Sequence, residues 1–138
     1  AGMGGEVIAG ILERAAFLRN PQLQLVLQPQ SKDNVLRDFL AANGFAVTSE
    51  EAVLSGKFVY VVMVAHYTGQ SRQLSIMDSF CGLLPQNCTP EACEKMRRTA
   101  SYLAECSKGF SARGDDENAN LYLRTSGAIL SLILNYYL

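Results

Sequence analysis

The 138-residue sequence has almost no net charge and no long apolar run. Its 12 basic and 13 acidic side chains give a formal net charge of -1 at pH 7. This balance produces no overall attraction to nucleic acid or anionic lipid, so any such contact must come from a local patch. The most apolar run, GAILSLIL, is far shorter than the roughly twenty residues of a membrane-spanning helix. No secretion signal is visible, so we expect a soluble, cytoplasmic chain without a membrane partner.

Residues that bind metal ions are scarce. The sequence has one histidine, His66, and its four cysteines include no C-x-x-C pair: Cys81, Cys88, Cys93 and Cys106. These spacings match no common zinc knuckle or ribbon, so we expect reduced thiols and no metal site. His66 ends a predicted strand and is more simply structural than functional. The acidic residues at 115–117 open a predicted helix, where they would offset the helix dipole.

The first half of the chain alternates helical and strand patterns. Apolar residues recur every three or four positions from Glu6 to Arg19, which predicts a helix. The run LQLVLQP predicts a buried strand, and a second helix follows, with Ser31 or Asp33 as its cap and Gly44 at its end. Two further runs, FAVTSEEAVL and KFVYVVMVAH, predict a hairpin with its turn at residues 55–56.

The second arm of this hairpin is apolar from Phe58 to Ala65 without a break. Such a run is typical of a strand inside a sheet, with both faces covered. A strand–helix–strand unit favours parallel strands with a right-handed crossover, so the second arm must run antiparallel to them. We therefore predict an α/β sheet whose last strand is inserted antiparallel between its neighbours. This arrangement is typical of the end of a Rossmann-like methyltransferase sheet.

The second half of the chain is predicted to be helical. The polar stretch YTGQSRQ predicts a domain boundary near residue 70. A short helix is predicted over 76–84, and Thr89-Pro90 is a start signal for a longer one. GFSARGDD interrupts that helix, and a last helix begins near Asp116. We therefore expect a partial α/β domain over 1–70 and a helical hairpin, resembling a coiled coil, over 71–138.

A glycine cluster precedes the first predicted helix: Gly2, Met3, Gly4 and Gly5. Glycines at a helix start let a ligand approach the backbone and its N–H groups. The dinucleotide fingerprint G-x-G-x-x-G does not match, because its third glycine would fall on Val7, and no Walker A ending is present. Two interpretations stay open: a purely structural turn, or a turn facing a ligand at the carboxyl end of the sheet.

Four segments resemble the second half of the bacterial TrmK family: AGMGGEVIAGIL, LVLQPQSKDNVLRDFLAANGF, GKFVYVVMVA and YTG. Members of this family are tRNA (adenine(22)-N1)-methyltransferases that use S-adenosyl-L-methionine. The resemblance is close from Ala1 to Gly69 and looser through the helical tail. It implies the C-terminal half of a Rossmann-like class I methyltransferase sheet, followed by an α-helical hairpin. It also implies that the loop holding the methyl donor is absent, so the cofactor-binding residues are unknown.

The resemblance assigns site residues by matching segments. In the family, AGMGG follows the fourth strand and faces the reaction centre, which implies a catalytic-site position for four residues: Gly2, Met3, Gly4 and Gly5. The segment LQPQ corresponds to an LQPN-like segment after the fifth strand. Gln28 and Pro29 match it and are expected to bind substrate, whereas Gln30 stands where asparagine is commoner.

The reaction itself requires little acid–base chemistry. N1 of neutral adenine already has a lone pair, so catalysis would come from placing N1 in line with the methyl group in a dry site. The adenine must first leave the folded tRNA for a pocket. A glycine turn admits a flat base, and Met3 either packs against that base or fills the core.

Further substrate contacts are expected from Tyr67, Arg97 and Arg98. Tyr67 could stack on a base, although an aromatic residue at a strand end is often purely structural. Arg97 and Arg98 lie in the run EKMRR on the helical hairpin, where they either meet tRNA phosphates or belong to a solvated helix face.

Two functions remain in view. The chain is either the substrate-side part of a methyltransferase or a non-catalytic RNA-binding fragment that lacks the donor site. An unpaired sheet edge near Leu25 would leave backbone groups without partners, at about 1–3 kcal/mol each if buried. We therefore expect this edge to pair with another chain or to self-associate.

Overall fold

The computed structural model describes residues 3–137, so the predicted site residue Gly2 lies outside the described residues. The helices and strands follow in chain order: α1 (Gly5–Arg14), β1 (Leu25–Leu27), α2 (Asp33–Ala42), β2 (Phe45–Ser55), β3 (Phe58–Tyr67), α3 (Ile76–Cys81), α4 (Pro90–Ala112) and α5 (Asp116–Tyr137). Short 3-10 turns follow α1 and α3 at Ala16–Leu18 and Leu84–Gln86.

The three strands form one sheet in the order β1-β3-β2. β3 runs antiparallel to both neighbours, so β1 and β2 are parallel to each other. The predicted insertion of the last strand is therefore confirmed. Leu27, at the carboxyl end of β1, lies level with Met63 and Glu50, so the β2–β3 hairpin extends well beyond β1 at this edge.

β3 occupies the centre because its side chains are apolar on both faces. Val61, Met63 and Ala65 are at most 1% exposed and belong to the hydrophobic core. The intervening Val62 and Val64 are half-buried on the opposite face. A strand covered on both faces gains burial free energy along its whole length, which explains the central position.

The helical hairpin forms from α4 and α5. Thr89 caps α4 through its hydroxyl, which accepts a hydrogen bond from the Ala92 N–H at 3.1 Å, and Pro90 occupies the first turn. These start signals are confirmed, as is the start of α5 at Asp116. The two helices are joined by hydroxyl hydrogen bonds, in which Ser107 donates to the Ala119 carbonyl and Ser126 to that of Ala100.

Several predicted boundaries were wrong by one to five residues. α1 ends at Arg14 rather than Arg19, because the backbone leaves the helical region at Ala15. α4 continues through the first residues of GFSARGDD and ends at Ala112. The residues between β2 and β3 are Gly56 and Lys57, one position later than predicted.

The cap predicted for α2 was also wrong. Lys32 precedes the helix in the left-handed conformation, with φ 51° and ψ 44°, and no side chain caps α2. Asp33 lies in the first turn, where a carboxylate stabilises the helix dipole.

One hydrophobic core joins the sheet to the helices. It combines residues from both sides of position 70, including Leu36, Leu40, Met96, Leu103 and Ile129, all 0% exposed. The division into two domains at residue 70 stays a prediction. Over residues 3–137, no helix has the length and apolar character needed to cross a membrane. The same residues contain no group of three or more metal-binding side chains.

Candidate functional site

The glycine turn and the LQPQ segment lie together at the carboxyl end of β1. The Gln30 N–H donates to the Met3 carbonyl at 2.8 Å, and the Gly5 N–H donates to the Ser31 carbonyl at 2.7 Å. These two hydrogen bonds connect the start of α1 to the chain leaving β1. The structure therefore brings together the two segments that the sequence singled out as the substrate side of a site.

Gly5 is required by the packing of this turn. It is buried, and a Cβ at this position would overlap the carbonyl oxygen of Lys32, with the Leu36 Cβ only 3.3 Å away. Any larger residue would push α1 away from the start of α2. The packing against Lys32 is sufficient to explain why this position is a glycine. The catalytic-site role of Gly5 stays a prediction.

Gly4 and Met3 are more open than Gly5. A Cβ at Gly4 would lie 2.9 Å from the Ser31 hydroxyl and 2.8 Å from the Glu6 carboxylate, both on flexible side chains. Met3 is 49% exposed, so it is not a core filler among the described residues. A flat ligand can therefore reach the Met3–Gly4 backbone from solvent.

The LQPQ residues surround this opening unequally. Gln28 and Gln30 are exposed, whereas Pro29 is buried and fixes the course of the chain after β1. Only the two glutamine side chains are therefore available to donate or accept hydrogen bonds at the surface. The predicted substrate contacts of Gln28 and Pro29 stay predictions.

Tyr67 lies at the other end of the sheet. It pairs with Phe45, the first residue of β2, and its ring packs edge-on against that of Phe45 at 5.4 Å. Leu27 lies level with Met63, four residues earlier in β3, so about 13 Å of strand separates Tyr67 from the turn. The structure does not bring Tyr67 to the predicted site, and its base-stacking role gains no support from its position.

The two arginines of EKMRR lie in different surroundings. Arg97 is exposed and binds Glu94 with both Nε and Nη2, at 2.9 and 2.6 Å. Arg98 shares Glu94 through Nε and also donates from Nη1 to the Lys57 carbonyl at 2.7 Å. Arg98 therefore connects α4 to the β2–β3 turn, at the same edge of the sheet as the carboxyl ends of β1 and β2.

A buried charge network anchors α2, the helix whose start packs against the turn. Arg37 is 2% exposed and donates from Nε and Nη2 to the Glu50 carboxylate at 2.8–3.1 Å. Its Nη1 donates to Asp33 at 2.7 Å and to the Ser79 carbonyl at 2.9 Å. Glu50 also accepts a hydrogen bond from the Leu83 N–H at 3.1 Å. One side chain thus ties α2, β2 and the end of α3 together.

Asp33 extends the network toward the surface. Its second oxygen accepts a hydrogen bond from Lys95 Nζ at 3.1 Å. Burial alone would raise the pKa of Asp33, but the charges of Arg37 and Lys95 outweigh burial and hold the pKa below its ordinary value of 3.8. Asp33 is therefore ionised at neutral pH and acts as an anchor rather than an acid.

The profile of the family described as TrmK, tRNA (adenine(22)-N(1))-methyltransferase, matches residues 1–124. The chain belongs to the TrmK family. A Mycoplasma pneumoniae protein named "Putative tRNA methyltransferase" is 39% identical over 74 residues, which are 53% of this chain and 33% of that protein.

Solved structures of similar proteins agree with this assignment. A Streptococcus agalactiae protein of the NADB-Rossmann superfamily is 28% identical, with a TM-score of 0.72 over 94% of this chain and 57% of that chain. A Streptococcus pneumoniae protein described as "a putative tRNA (m1A22) methyltransferase" is 26% identical, with a TM-score of 0.74 over 94% and 59%. The predicted Rossmann-like α/β fold is confirmed. The chain spans less than two thirds of the length of each of these relatives.

Sequence reasoning missed the charge network that anchors α2. Arg37 sits between the core residues Leu36 and Leu40 of α2, and Glu50 alternates with the buried Ala52 in β2. Both charged residues therefore fall on or beside core-facing positions of their elements. This placement was the one signal in the sequence for a buried ion pair. Lys32 was missed because nothing in the sequence indicates a left-handed lysine.

Proposed function

We propose that this chain forms the substrate side of an S-adenosyl-L-methionine-dependent enzyme that methylates N1 of an adenine in tRNA. Membership of the TrmK family supports the reaction class, with adenine 22 as the target. The observation that carries the proposal is the pair of hydrogen bonds, Gln30 to Met3 and Gly5 to Ser31, at the carboxyl end of β1. Ligands of open α/β sheets bind at this end of the strands.

The residues at the turn would act by positioning the base. The exposed Met3 can pack against the face of an adenine, and the adjacent backbone and the amide of Gln28 can hydrogen-bond its edge. No described group near N1 needs to remove a proton, since the ring nitrogen reacts through its lone pair. Holding N1 in line and excluding water are then the contributions of this chain.

S-adenosyl-L-methionine would supply the methyl group, and the Streptococcus pneumoniae relative has been solved in complex with it. The described residues do not by themselves fit this molecule. Met3 and Gly4 border open surface, and the close approach at Gly5 is already filled by the Lys32 carbonyl. We therefore propose that the methyl donor is held mainly by residues outside this chain, which alone should not bind it appreciably.

The free edge of β1 is the proposed contact for those residues. β1 pairs with β3 on one side, and Val26 in its middle is 66% exposed. Nearby α1 exposes Val7 and Ile11, at 48% and 42%. A further strand and its apolar neighbours from the donor-holding polypeptide would cover these surfaces. In their absence, the exposed edge and apolar side chains of the chain alone would pair with a second copy. Light scattering at high protein concentration should therefore show association, and a strictly monomeric chain would contradict this part of the proposal.

A tRNA substrate implies RNA binding in the cytoplasm, where tRNA is modified. We propose both properties for this protein on that ground. The proposal includes no metal ion, because methyl transfer to a ring nitrogen requires none.

Photocrosslinking tests the substrate assignment directly. A tRNA transcript with a photoreactive azidoadenine at position 22 is irradiated with the chain, and the crosslinked peptides are identified by mass spectrometry. We expect crosslinks within residues 3–30, at Met3 or Gln28. A transcript carrying the same group at a distant position is the control, and equal labelling of this region by both transcripts would overturn the assignment.

Methyl transfer and donor binding separate the two candidate functions. The chain is assayed alone and with the remaining portion of a TrmK relative, using transcripts with A or G at position 22. Transfer to the A22 transcript only supports the enzyme. If the chain binds tRNA but transfers no methyl group, either alone or with the added portion of the relative, the non-catalytic RNA-binding fragment is supported. Micromolar binding of S-adenosyl-L-methionine by the chain alone, measured by calorimetry, would contradict the proposed absence of a donor site.

A further inference from the structure

A groove of about 300 Å³ lies between the start of α2 and the face of α4. It is lined by Lys32 and Asp33 before and in α2, Phe80 in α3, and Lys95, Arg98 and Tyr102 in α4. We call it the Lys32–Tyr102 groove. None of these residues belongs to the glycine turn or to the LQPQ segment, so the groove is a separate feature of the surface.

The charges of the Lys32–Tyr102 groove favour an anion. Three cationic side chains line it against one carboxylate, that of Asp33, which is already bound by Arg37 and Lys95. Lys32 is exposed. Arg98 uses Nε and Nη1 in its contacts with Glu94 and Lys57, and within residues 3–137 no acceptor binds its Nη2. Lys32 and this nitrogen are therefore available to an incoming phosphate.

The same groove exposes an aromatic ring. Tyr102 is 58% exposed, and its ring centre lies 6.1 Å from that of Phe80, with 43° between the ring planes. An exposed aromatic ring beside cations is the combination on which single-stranded nucleic acids bind, with bases stacked on the ring and phosphates on the cations. Binding of an isolated phosphate or an acidic peptide would require only the cations and would leave the ring without a stacked partner.

The groove adjoins the proposed methylation site. The carbonyl of Lys32 packs against Gly5 in the glycine turn, while its side chain lines the groove. Arg98 contacts the β2–β3 turn, at the same edge of the sheet. A nucleotide in the groove would therefore lie next to a base at the turn.

Lys32 itself is held in an unfavourable conformation. It is the only residue other than glycine with positive φ among the described residues. Glycine or asparagine would adopt this conformation more easily. A lysine at this position therefore lowers the stability of the fold through backbone strain, while its side chain adds a positive charge to the groove.

We propose that the Lys32–Tyr102 groove binds one unpaired nucleotide of the tRNA adjacent to the methylated adenine, with its base on Tyr102 and its phosphate between Lys32 and Arg98. The groove volume is at the lower end of the range of about 300–1,000 Å³ for small-molecule pockets, which suits one nucleotide. This inference rests on the proposed function, since it takes tRNA as the partner.

Fluorescence anisotropy with a labelled A22 tRNA transcript tests the stacking contact. Tyr102→Ala should weaken binding about 5- to 150-fold, the range for loss of one base–aromatic stack, whereas Tyr102→Phe should retain it. Tyr136→Ala is the matched control, because Tyr136 is a similarly exposed tyrosine on α5, outside the groove. Circular dichroism of each variant verifies that the fold persists.

The phosphate contact has its own measurements. Lys32→Gln should lower the slope of log affinity against log salt concentration by about 1, whereas Lys108→Gln, on the exposed side of α4, should leave the slope unchanged. Lys32→Gly should unfold at a higher urea concentration, because the backbone strain is relieved, and yet bind tRNA more weakly. A purely structural Lys32 would not combine these two effects.

The outcomes distinguish this inference from the proposed function. If the wild-type chain binds tRNA and the Tyr102 and Lys32 variants bind as tightly as their controls, the groove assignment is overturned and the proposed function stands. If the wild-type chain binds no tRNA at all, both fail. Weaker binding by both alanine and glutamine variants, with the controls unchanged, supports the groove.

Discussion

Replacing Arg37 by methionine should remove much of the stability of this fold. The change deletes all five hydrogen-bond contacts of the guanidinium. Among the described residues it leaves the Glu50 carboxylate, on a residue that is 2% exposed, with the backbone N–H of Leu83 as its one remaining donor. Removing one partner of a buried ion pair destabilises a protein by about 3–5 kcal/mol. Domains of this size have a free energy of unfolding of about 5–15 kcal/mol, so the loss is a large fraction of the total.

Urea unfolding at pH 7, followed by far-ultraviolet circular dichroism, measures this loss. In thermal unfolding followed by the same signal, the melting temperature should fall by about 10–15 °C for a domain of this length. The double variant Arg37→Met/Glu50→Leu should recover much of the stability, because it also removes the carboxylate left without its partner. Arg97→Met is the control, since its ion pair with Glu94 is exposed and should contribute under about 1 kcal/mol.

A loss of less than about 1 kcal/mol in the single variant Arg37→Met would contradict this expectation. A double variant no more stable than Arg37→Met alone would also contradict it. Either result would mean that the buried carboxylate is solvated or rearranged when its partner is removed, so that the network does not anchor α2.

Three other substitutions test separate parts of the structure by the same unfolding assay. Gly5→Ala should destabilise the fold by about 1–3 kcal/mol, because its Cβ overlaps a backbone carbonyl. Gly10→Ala in the same helix is the control and should stabilise the fold by up to about 1 kcal/mol. Equal effects of the two substitutions would contradict this prediction. Asp33 has a lowered pKa, so its contribution is present above pH 3.8 and is lost as pH falls through the folded-state pKa. Asp33→Asn should therefore flatten the acid limb of the stability curve, and parallel curves would exclude this. Thr89→Ala should cost about 1 kcal/mol as a lost cap, against little change for the exposed Ser101→Ala.

The sheet was predictable because its signals are local. The unbroken apolar run of β3 identifies a central strand, and a hairpin following a strand–helix unit leaves only the antiparallel insertion that is found. Thr89-Pro90 is equally local, since the cap and the first-turn proline act on their own neighbours. The end of α1 was not predictable in the same way, because apolar spacing continues through Leu18 although the backbone changes at Ala15.

The candidate site was predictable only in part. The resemblance assigned the glycine turn and LQPQ to the same site, and ligands of open α/β sheets bind at the carboxyl ends of the strands. The hydrogen bonds at Met3 and Gly5, which connect the two segments at that end of β1, agree with this expectation. The packing of Gly5 against Lys32 depends on how two helices meet, and no local pattern encodes that distance. Arg37 was missed for a related reason: a charged residue is assumed to be exposed unless its partner is known.

The carboxyl edge of the sheet gathers the proposed functional features for a geometric reason. β1 and β2 are parallel, so the chain leaves both at the same edge, toward Gln28 in one case and Lys57 in the other. α2 returns the chain from the first of these ends, which brings Lys32 against the glycine turn, and α4 reaches the second through Arg98. The Arg37 network fixes α2 between them. A rigid α2 is thus what would hold a base at the turn and its neighbouring nucleotide in the groove at a constant separation, so Arg37→Met should weaken tRNA binding even in the fraction of molecules that remains folded.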